Sequence, residues 1–342
     1  MFRNPARLCA TLFALATATV LLPAEHAVAQ QAAGMGPQCK GRDLRPELAK
    51  RGAPPLEEVA AKSLLGKNTG AVLWMVEKEG LPASYLFGTI HSSDPKLLTL
   101  PGTVAAALGE VSTVAVEIRD GSDAMVAGMM AGEPQKFFYT GAENLGTHLT
   151  PDEVQRGQDM LKVIGLPFTQ LKPWFALASL ALPACEVMRA QTGAKVLDGE
   201  IERRAVAAGK TVMALETPFS QISAFIAVPE ADAIAMLKAT LAADYKPIDQ
   251  FETLKLMYLE RKIAEIWAMS LVSADLAGVP RTRFDAFRRE LLEKRNVGMI
   301  KAAQKELAAG GIMIAVGALH LPGDKGLVEL AREQGFTVTA VE

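Results

Sequence analysis

Two copies of one short pattern restrict the fold of this chain more than any other feature. An apolar run ends in Gly-x-x-His at residues 85–91 (YLFGTIH), and the same ending recurs at residues 314–320 (IAVGALH). Each copy is followed by a loop, a helical stretch and another β-rich run. Because strand–helix–strand units build parallel sheets through right-handed crossovers, the pattern predicts an α/β fold.

The rest of the chain extends this prediction. Two β-rich runs flank Glu-Gly before His91 and predict a hairpin, and an amphipathic helix ending at Gly209 leads into a third strand that stops at Glu216. Thr150, Pro151 and Glu153 have the pattern of a helix start with a capping box. We expect a mixed, largely parallel central sheet from two pseudo-symmetric halves, with a helical insertion at about 145–195 and 220–309.

Residues 1–29 have the pattern of a secretory signal peptide. Basic Arg3 and Arg7 precede an apolar stretch, and small residues precede a cleavage site near Ala29. The apolar stretch is shorter than the ~20 residues of a membrane span. We therefore expect a periplasmic or secreted protein with no transmembrane segment in the mature chain.

The mature chain is predicted to consist of an N-terminal arm (30–68) and a single α/β domain (69–342). Its charge is balanced, since the whole sequence has 36 Lys and Arg residues against 38 Asp and Glu residues. Nucleic-acid binding needs a clustered basic surface, so we expect no nucleic-acid partner. A peptide or another small substrate remains as the expected partner.

Two cysteines stay after removal of the leader, which takes Cys9 with it. Cys39 and Cys185 form an even pair in an exported chain, where disulfides persist. We predict a bridge between them that ties the arm to a helix. Two unpaired, buried thiols are the alternative.

The histidines are the candidate functional residues. The sequence has four, and His91 and His320 occupy the same motif, whereas His148 lies in a polar segment and is expected to be a surface or capping residue. Ligand sites of open parallel sheets lie at the carboxyl ends of the strands. Gly88 and Gly317 would allow a neighbouring strand or a ligand to approach closely. We therefore predict that the two histidines converge in one cleft.

Glu117 and Glu216 end two predicted strands and are expected at the same edge. Two imidazoles with a carboxylate suit a divalent metal ion such as Zn²⁺, Mn²⁺ or Co²⁺. A bound ion lowers the pKa of water to ~7, and a spare carboxylate can take the proton. The alternatives are structural: Glu117 can stabilise a helix N-terminus, and Glu216 and Asp198 can occupy turn or capping positions.

These segments, in this order, resemble the TraB/GumN family, which includes Tiki-type metalloproteases and has a fold related to erythromycin esterase-like and ChaN-like proteins. The resemblance rests on YLFGTIH, VAVE, LKPW, LDGEIERRAVAAGKTVMALET, EKRN and VGALHLPGDKGLVELAREQGF. It implies a site formed by Gly88, His91, Glu117, Gly317 and His320. Arg295 and Asn296 are implied as supporting catalytic residues, although Arg295 can also be one more charge on a solvated helix.

Three functions follow as hypotheses. The first is a secreted, metal-dependent hydrolase, a peptidase, with His91 and His320 as ligands, Glu117 as ligand or general base, and Arg295 or Asn296 stabilising an oxyanion. The second is a non-catalytic protein that binds a metal complex or haem in the same crevice. The third is a regulatory interaction protein whose partner surface is formed by the Ala- and Met-rich helices at 231–280, which can also simply cover the sheet.

Overall fold

The computed structural model describes residues 39–119, 121–162, 164–243 and 245–342. The predicted signal peptide and the first part of the predicted arm lie outside these residues. None of the helices in the described ranges combines the length and the hydropathy that a bilayer crossing requires.

Six strands in the described ranges form one sheet with the order β4-β3-β5-β2-β1-β6. The strands are β1 (Leu73–Glu77), β2 (Ser84–Thr89), β3 (Thr113–Val116), β4 (Thr211–Ala214), β5 (Ile312–Gly317) and β6 (Thr337–Ala340). From β4 across to β2 every neighbouring pair is parallel, and β1 runs antiparallel to both β2 and β6. The sheet is therefore mixed and largely parallel, as the sequence predicts, and the predicted hairpin is the β1–β2 pair.

Helices account for most of the remaining residues. The α-helices are α1 (Arg45–Lys50), α2 (Leu56–Ala61), α3 (Pro95–Leu98), α4 (Gly102–Glu110), α5 (Asp123–Gly132), α6 (Pro151–Leu161), α7 (Pro173–Leu180), α8 (Ala184–Gln191), α9 (Leu197–Ala207), α10 (Pro218–Ile226), α11 (Glu230–Ala242), α12 (Pro247–Leu259), α13 (Ile263–Leu276), α14 (Asp285–Arg288), α15 (Lys294–Ala302), α16 (Gln304–Ala309) and α17 (Leu327–Glu333). The predicted capping box of α6 is present, with Thr150 and Glu153 bonded reciprocally.

Strand β5 is buried on both faces of the sheet. Ile314 and Val316 point into a core that includes residues of α15 and α17, whereas Met313 and Ala315 point into a second core that includes residues of α4 and α9. This alternation follows from the two-residue period of a strand. Central parallel strands covered by helices on both sides are apolar throughout, which explains the continuous apolar run in the sequence.

The crossovers from β2 and β5 leave the sheet on opposite faces. The chain passes from β2 through α3 and α4 to β3 on one side, and from β5 through α17 to β6 on the other side. The β2–β3 connection runs towards one edge of the sheet and the β5–β6 connection towards the other. Because both connections are expected to be right-handed, their helices lie on opposite faces of the sheet. A crevice is therefore expected where the carboxyl ends of β2 and β5 meet.

The arm packs against the helical part of the chain. Cys39 is disulfide-bonded to Cys185 in α8, as predicted, with 5.6 Å between the Cα atoms. Apolar residues of α1 and α2 share a core with α13, which includes Trp267. Much of the apolar surface of the helices at 231–280 is therefore packed against other parts of the fold.

Candidate active site

The two histidines of the repeated motif line one cavity. Thr89 and Gly317, the last residues of β2 and β5, are register partners in adjacent parallel strands. His91 comes shortly after Thr89, and His320 ends a 3-10 turn (Ala318–His320) that follows β5 directly. Both side chains line a cavity of about 570 Å³ at the carboxyl edge of the sheet. Strand pairing thus brings together two residues that are far apart in the sequence.

Both motif glycines allow close approaches. A Cβ at Gly88 would lie 2.9 Å from Cα of Ala318 and 2.8 Å from a methyl carbon of Leu321. A Cβ at Gly317 would lie 3.3 Å from Oε1 of Glu117, and the Gly317 N–H donates a 2.7 Å hydrogen bond to that oxygen. The absence of side chains at these positions lets the turn after β5 approach β2 and lets Glu117 approach β5.

His320 is buried and held in one orientation. Its Nδ1–H donates a 2.6 Å hydrogen bond to Oδ1 of Asn296, whose Nδ2 donates to the carbonyl of Lys325 at 2.8 Å. Nε2 lies 3.7 Å from Oε1 of Glu117. Burial, together with the charge of Arg295, lowers the pKa of His320 to about 3. The ring is therefore neutral near pH 7, and Nε2 carries the free lone pair.

His91 is held in the same way by a different acceptor. Its Nδ1–H donates a 3.0 Å hydrogen bond to Oδ2 of Asp198, and Oδ1 of Asp198 accepts a 2.5 Å hydrogen bond from the Thr89 hydroxyl. Asp198 lies in the first turn of α9. Its charge raises the pKa of His91 to about 9, against the effect of burial. The His91 side chain is 56% exposed, so solvent screens part of this attraction.

Glu117, one residue after β3, is a buried carboxylate with several donors. Oε1 accepts from the Gly317 N–H, while Oε2 accepts from Nη2 of Arg295 at 2.7 Å and from Nε2 of Gln221 at 3.2 Å. Burial alone would raise the pKa of Glu117, but the charges of Arg295 and His91, together with the hydrogen bond from the Gly317 N–H, outweigh that effect. The pKa of Glu117 therefore lies well below its usual value, and the side chain is ionised at neutral pH.

Arg295 joins two carboxylates. Its Nε and Nη2 contact Oε2 of Glu216 at 2.9 and 2.7 Å, while the same Nη2 contacts Glu117. All three side chains are at most 10% exposed. Burial raises the pKa of Glu216 in spite of its hydrogen bonds to Arg295. Glu216 thus reaches the site through Arg295, whereas Glu117 and Arg295 both line the cavity.

A π-helical turn (Arg289–Glu293) connects α14 to α15, whose second residue is Arg295. Such a turn takes up an additional residue, which changes the direction of the side chains that follow, and π turns are frequent at functional sites. Nη1 of Arg295 bonds back to the carbonyl of Leu291 at 3.2 Å. Arg295 therefore contacts the two carboxylates, whereas its neighbour Asn296 is hydrogen-bonded to His320. The sequence predicts only an ordinary helix here.

The segment after His91 is fixed by Glu186, a fully buried residue of α8. Its Oε2 accepts from the backbone N–H of Ser93 at 3.0 Å and from the Ser93 hydroxyl at 2.7 Å. Glu186 follows the disulfide-bonded Cys185 in the sequence. The disulfide therefore holds the helix whose carboxylate orders the loop that begins at His91.

The donor types at the site, although not their spacing, are those of a divalent-cation site. Both histidines donate from Nδ1 to an oxygen acceptor, which is the usual arrangement for metal-binding histidines. Nε2 of His320 is free for an ion, whereas an ion at His91 would displace its Nε2 proton. Glu117 adds an ionised oxygen, and two imidazoles with a carboxylate suit Zn²⁺, Mn²⁺ or Co²⁺. In the described residues, the ligand atoms of His91, Glu117 and His320 do not all lie within 4.8 Å of one another. An ion shared by all three therefore requires these side chains to move closer together.

A second group of side chains with potential metal-ligand atoms lies outside this cavity. Atoms of Glu143, His148 and Glu230 are within 4.8 Å of one another. His148 pairs with Glu143 at 3.1 Å, and Glu230 accepts from the Tyr139 hydroxyl and lies 3.6 Å from Nζ of Lys172. These partly exposed groups satisfy one another. His148 therefore has the partners of a surface residue, the role that the sequence predicts for it.

The structure also brings in residues that the sequence does not single out. Gln221 donates to Glu117 from α10, and Glu186 holds Ser93, although neither lies in a distinctive motif. Asp198 has an ambiguous signal, because an acidic residue near the start of a helix is common without any functional role. Only its spatial contact with His91 separates the two interpretations.

A model of the TraB/PrgY/gumN family matches residues 72–340, a range that contains both Gly-x-x-His motifs, Glu117, Glu216, Arg295 and Asn296. Neither the curated proteins nor the solved structures include a match to the chain.

Proposed function

The chain belongs to the TraB/PrgY/gumN family, and from this premise we propose that it is a divalent-metal-dependent hydrolase that cleaves peptide bonds. One observation carries the proposal: His91 and His320 each donate from Nδ1 to a fixed oxygen acceptor, Asp198 or Asn296, on the wall of one cavity. This directs both Nε2 atoms to an ion beside an ionised Glu117, and binding of the ion would release the Nε2 proton of His91. Without the ion, the three carboxylates of Glu117, Asp198 and Glu216 outnumber the two cations, Arg295 and protonated His91. The cluster therefore favours an additional cation.

His91, His320 and Glu117 would hold the ion, which is Mn²⁺, Co²⁺ or Zn²⁺. When bound, such an ion polarises a carbonyl group and lowers the pKa of a water molecule to ~7. The strongly lowered pKa of Glu117 suits a ligand better than a general base, since an effective base has a pKa near the working pH.

The remaining residues have supporting roles in this proposal. Glu216 is not among the described residues that line the cavity, so we assign it a positioning role through its hydrogen bonds to Arg295. Arg295 lines the cavity and can stabilise negative charge on the carbonyl oxygen. The amide oxygen of Asn296 accepts a hydrogen bond from His320, and its amide nitrogen donates one to the carbonyl of Lys325. We therefore assign Asn296 a positioning role.

We also propose that the protein is exported to the periplasm or secreted. The Cys39–Cys185 disulfide supports this, because disulfides persist in oxidising compartments. The leader that the sequence predicts lies outside the described residues.

Metal analysis combined with peptide hydrolysis tests the proposal. The purified protein is expected to contain about one Mn²⁺, Co²⁺ or Zn²⁺ and to cleave fluorogenic peptides, with activity that EDTA removes and added metal restores. His91→Ala and His320→Ala should remove both properties, whereas the control His148→Ala should retain them. Full hydrolysis in either site variant would contradict the proposal.

A second candidate function has one observation in its favour. The ligand atoms are more widely spaced than in a closed metal centre, and the cavity is large, which also suits a bound metal complex or haem without turnover. A haem titration that shifts the Soret band in the native protein and not in His320→Ala, with no hydrolysis of any peptide, would favour this alternative.

A further inference from the structure

The cavity has a large apolar part beyond the histidines. We define the apolar chamber by Trp174 and Leu177 of α7, Phe225 of α10, Met236 of α11, and Phe287 of α14, all of which line the cavity. The rings of Trp174 and Phe225 lie 5.7 Å apart, and those of Phe225 and Phe287 lie 6.4 Å apart. The walls therefore offer a continuous aromatic and aliphatic surface, contributed mainly by the helical insertion.

Among the described residues that line the cavity, the acidic and basic side chains all belong to the candidate active site. They are His91, Glu117, Asp198, Arg295 and His320, and the five chamber residues are uncharged. Arg295 is already paired with two carboxylates. A charged ligand group in the chamber would therefore lose its hydration without gaining a partner of opposite charge, which is unfavourable.

The chamber adjoins the polar cluster directly. Phe287, Leu291 and Arg295 follow one another along the same helical segment, and Nη1 of Arg295 bonds the carbonyl of Leu291. On the strand side, Ile90 precedes His91 and Leu319 precedes His320, and both line the cavity. A ligand that contacts the histidines can thus also contact apolar side chains of the same cavity.

Concave apolar surfaces with a few convergent polar groups are the usual form of small-ligand sites, which have volumes of roughly 300–1,000 Å³. The volume of about 570 Å³ lies within that range. We propose that the substrate carries an extended, uncharged apolar group that fills the apolar chamber while the carbonyl to be cleaved lies at the histidines. The proposal rests on the hydrolase function, and its apolar group is either an acyl chain or a run of apolar side chains.

Binding and hydrolysis are measured separately. Binding uses the fluorescent probe 11-(dansylamino)undecanoic acid on the EDTA-treated full chain, with displacement by N-acyl-alanines of increasing acyl length. Each added methylene should tighten binding about threefold to fourfold until the chamber is full, as expected for ~0.8 kcal/mol per buried methylene. Hydrolysis uses the metal-loaded protein on two substrate series, acyl-capped peptides and peptides with successive Leu or Phe residues, against Ala-Gly peptides.

Two chamber variants and two matched controls identify the binding surface. Leu177→Asp places a charge in the chamber, and Ala178→Phe, at another lining position on α7, reduces its volume. Both should weaken probe binding at least tenfold, and Ala178→Phe should shift the preferred acyl length downwards. Leu64→Asp and Ala106→Phe, at exposed positions, should leave binding unchanged. Because Ala178→Phe adds no charge, it tests the proposal even if Leu177→Asp fails to fold.

The outcomes distinguish the proposed role of the apolar chamber from the proposed hydrolase function. Probe binding that depends on chamber residues, without hydrolysis of any peptide, supports the chamber and contradicts the hydrolase. Hydrolysis of Ala-Gly peptides as fast as that of apolar ones, with no probe binding, overturns the chamber and leaves the hydrolase. If only one apolar series is favoured, that series identifies whether acyl chains or side chains are the source of the apolar group.

Discussion

Replacing Arg295 by Met should strongly destabilise the protein because it leaves two buried carboxylates without their shared cation. The Glu117, Glu216 and Arg295 side chains are at most 10% exposed, and Met keeps the apolar stem of the arginine. Removing one partner of a buried ion pair costs about 3–5 kcal/mol. We therefore expect the free energy of unfolding of Arg295→Met to fall by that amount at pH 7.5.

The loss should depend on pH in a defined direction. Without Arg295, burial raises the pKa of Glu216 further above its unfolded value, and Glu117 loses the charge that lowers its pKa most. The stability of such groups is fully retained below about pH 4.5 and is lost as the pH rises through the raised pKa. The difference between the variant and the wild type is therefore expected to shrink as the pH falls from 7.5 towards 5.

Urea unfolding in EDTA, followed by circular dichroism at both pH values, measures the effect. Arg281→Met is the control, since Arg281 and Asp275 form an exposed pair that is worth at most ~1 kcal/mol. The double variant Arg295→Met/Glu216→Gln should recover part of the loss, because one carboxylate becomes neutral. A loss below about 1 kcal/mol for Arg295→Met, or a loss that is independent of pH, would refute this reasoning.

Three further predictions concern the surroundings of the site. Asn296→Ala should weaken Mn²⁺ or Zn²⁺ binding about 10- to 100-fold in calorimetric titration, since a metal-binding His loses its Nδ1 acceptor; unchanged affinity would exclude the positioning role. Gly88→Ala should lower the free energy of unfolding by about 1–3 kcal/mol through overpacking against Ala318, whereas Gly102→Ala, with open space around it, serves as the control that should show no such clash. The double Cys39→Ser/Cys185→Ser variant should lose about 2–5 kcal/mol of stability in thermal or urea unfolding, and an unchanged midpoint would show that the bridge is dispensable.

The sequence predicts those parts of the fold that depend on local patterns. The Gly-x-x-His runs mark β2 and β5, and Thr150 with Glu153 marks the start of α6, because strands, crossovers and caps each have a short-range signature. The helix Asp123–Gly132 has no comparable signal. Its Gly, Ala and Met residues give little contrast between faces, so packing rather than periodicity determines it.

The partners of the candidate site residues depend on long-range contacts. Asp198 meets His91, and Glu186 meets Ser93, across about a hundred positions of sequence, and nothing in their local patterns identifies these pairs. The π turn before Arg295 is equally hidden, since its residues have the charge spacing of an ordinary helix. Sequence thus suggests which residue types form a site, whereas the pairing of strands decides which of them meet.

The most direct test of the metal centre is the anomalous scattering of crystals grown with Mn²⁺ or Co²⁺. We predict one strong peak about 2.0–2.3 Å from Nε2 of both His91 and His320, with an oxygen of Glu117 nearby. A peak only at Glu143, His148 and Glu230, or no peak between the two histidines at saturating metal, would contradict the proposed metal centre.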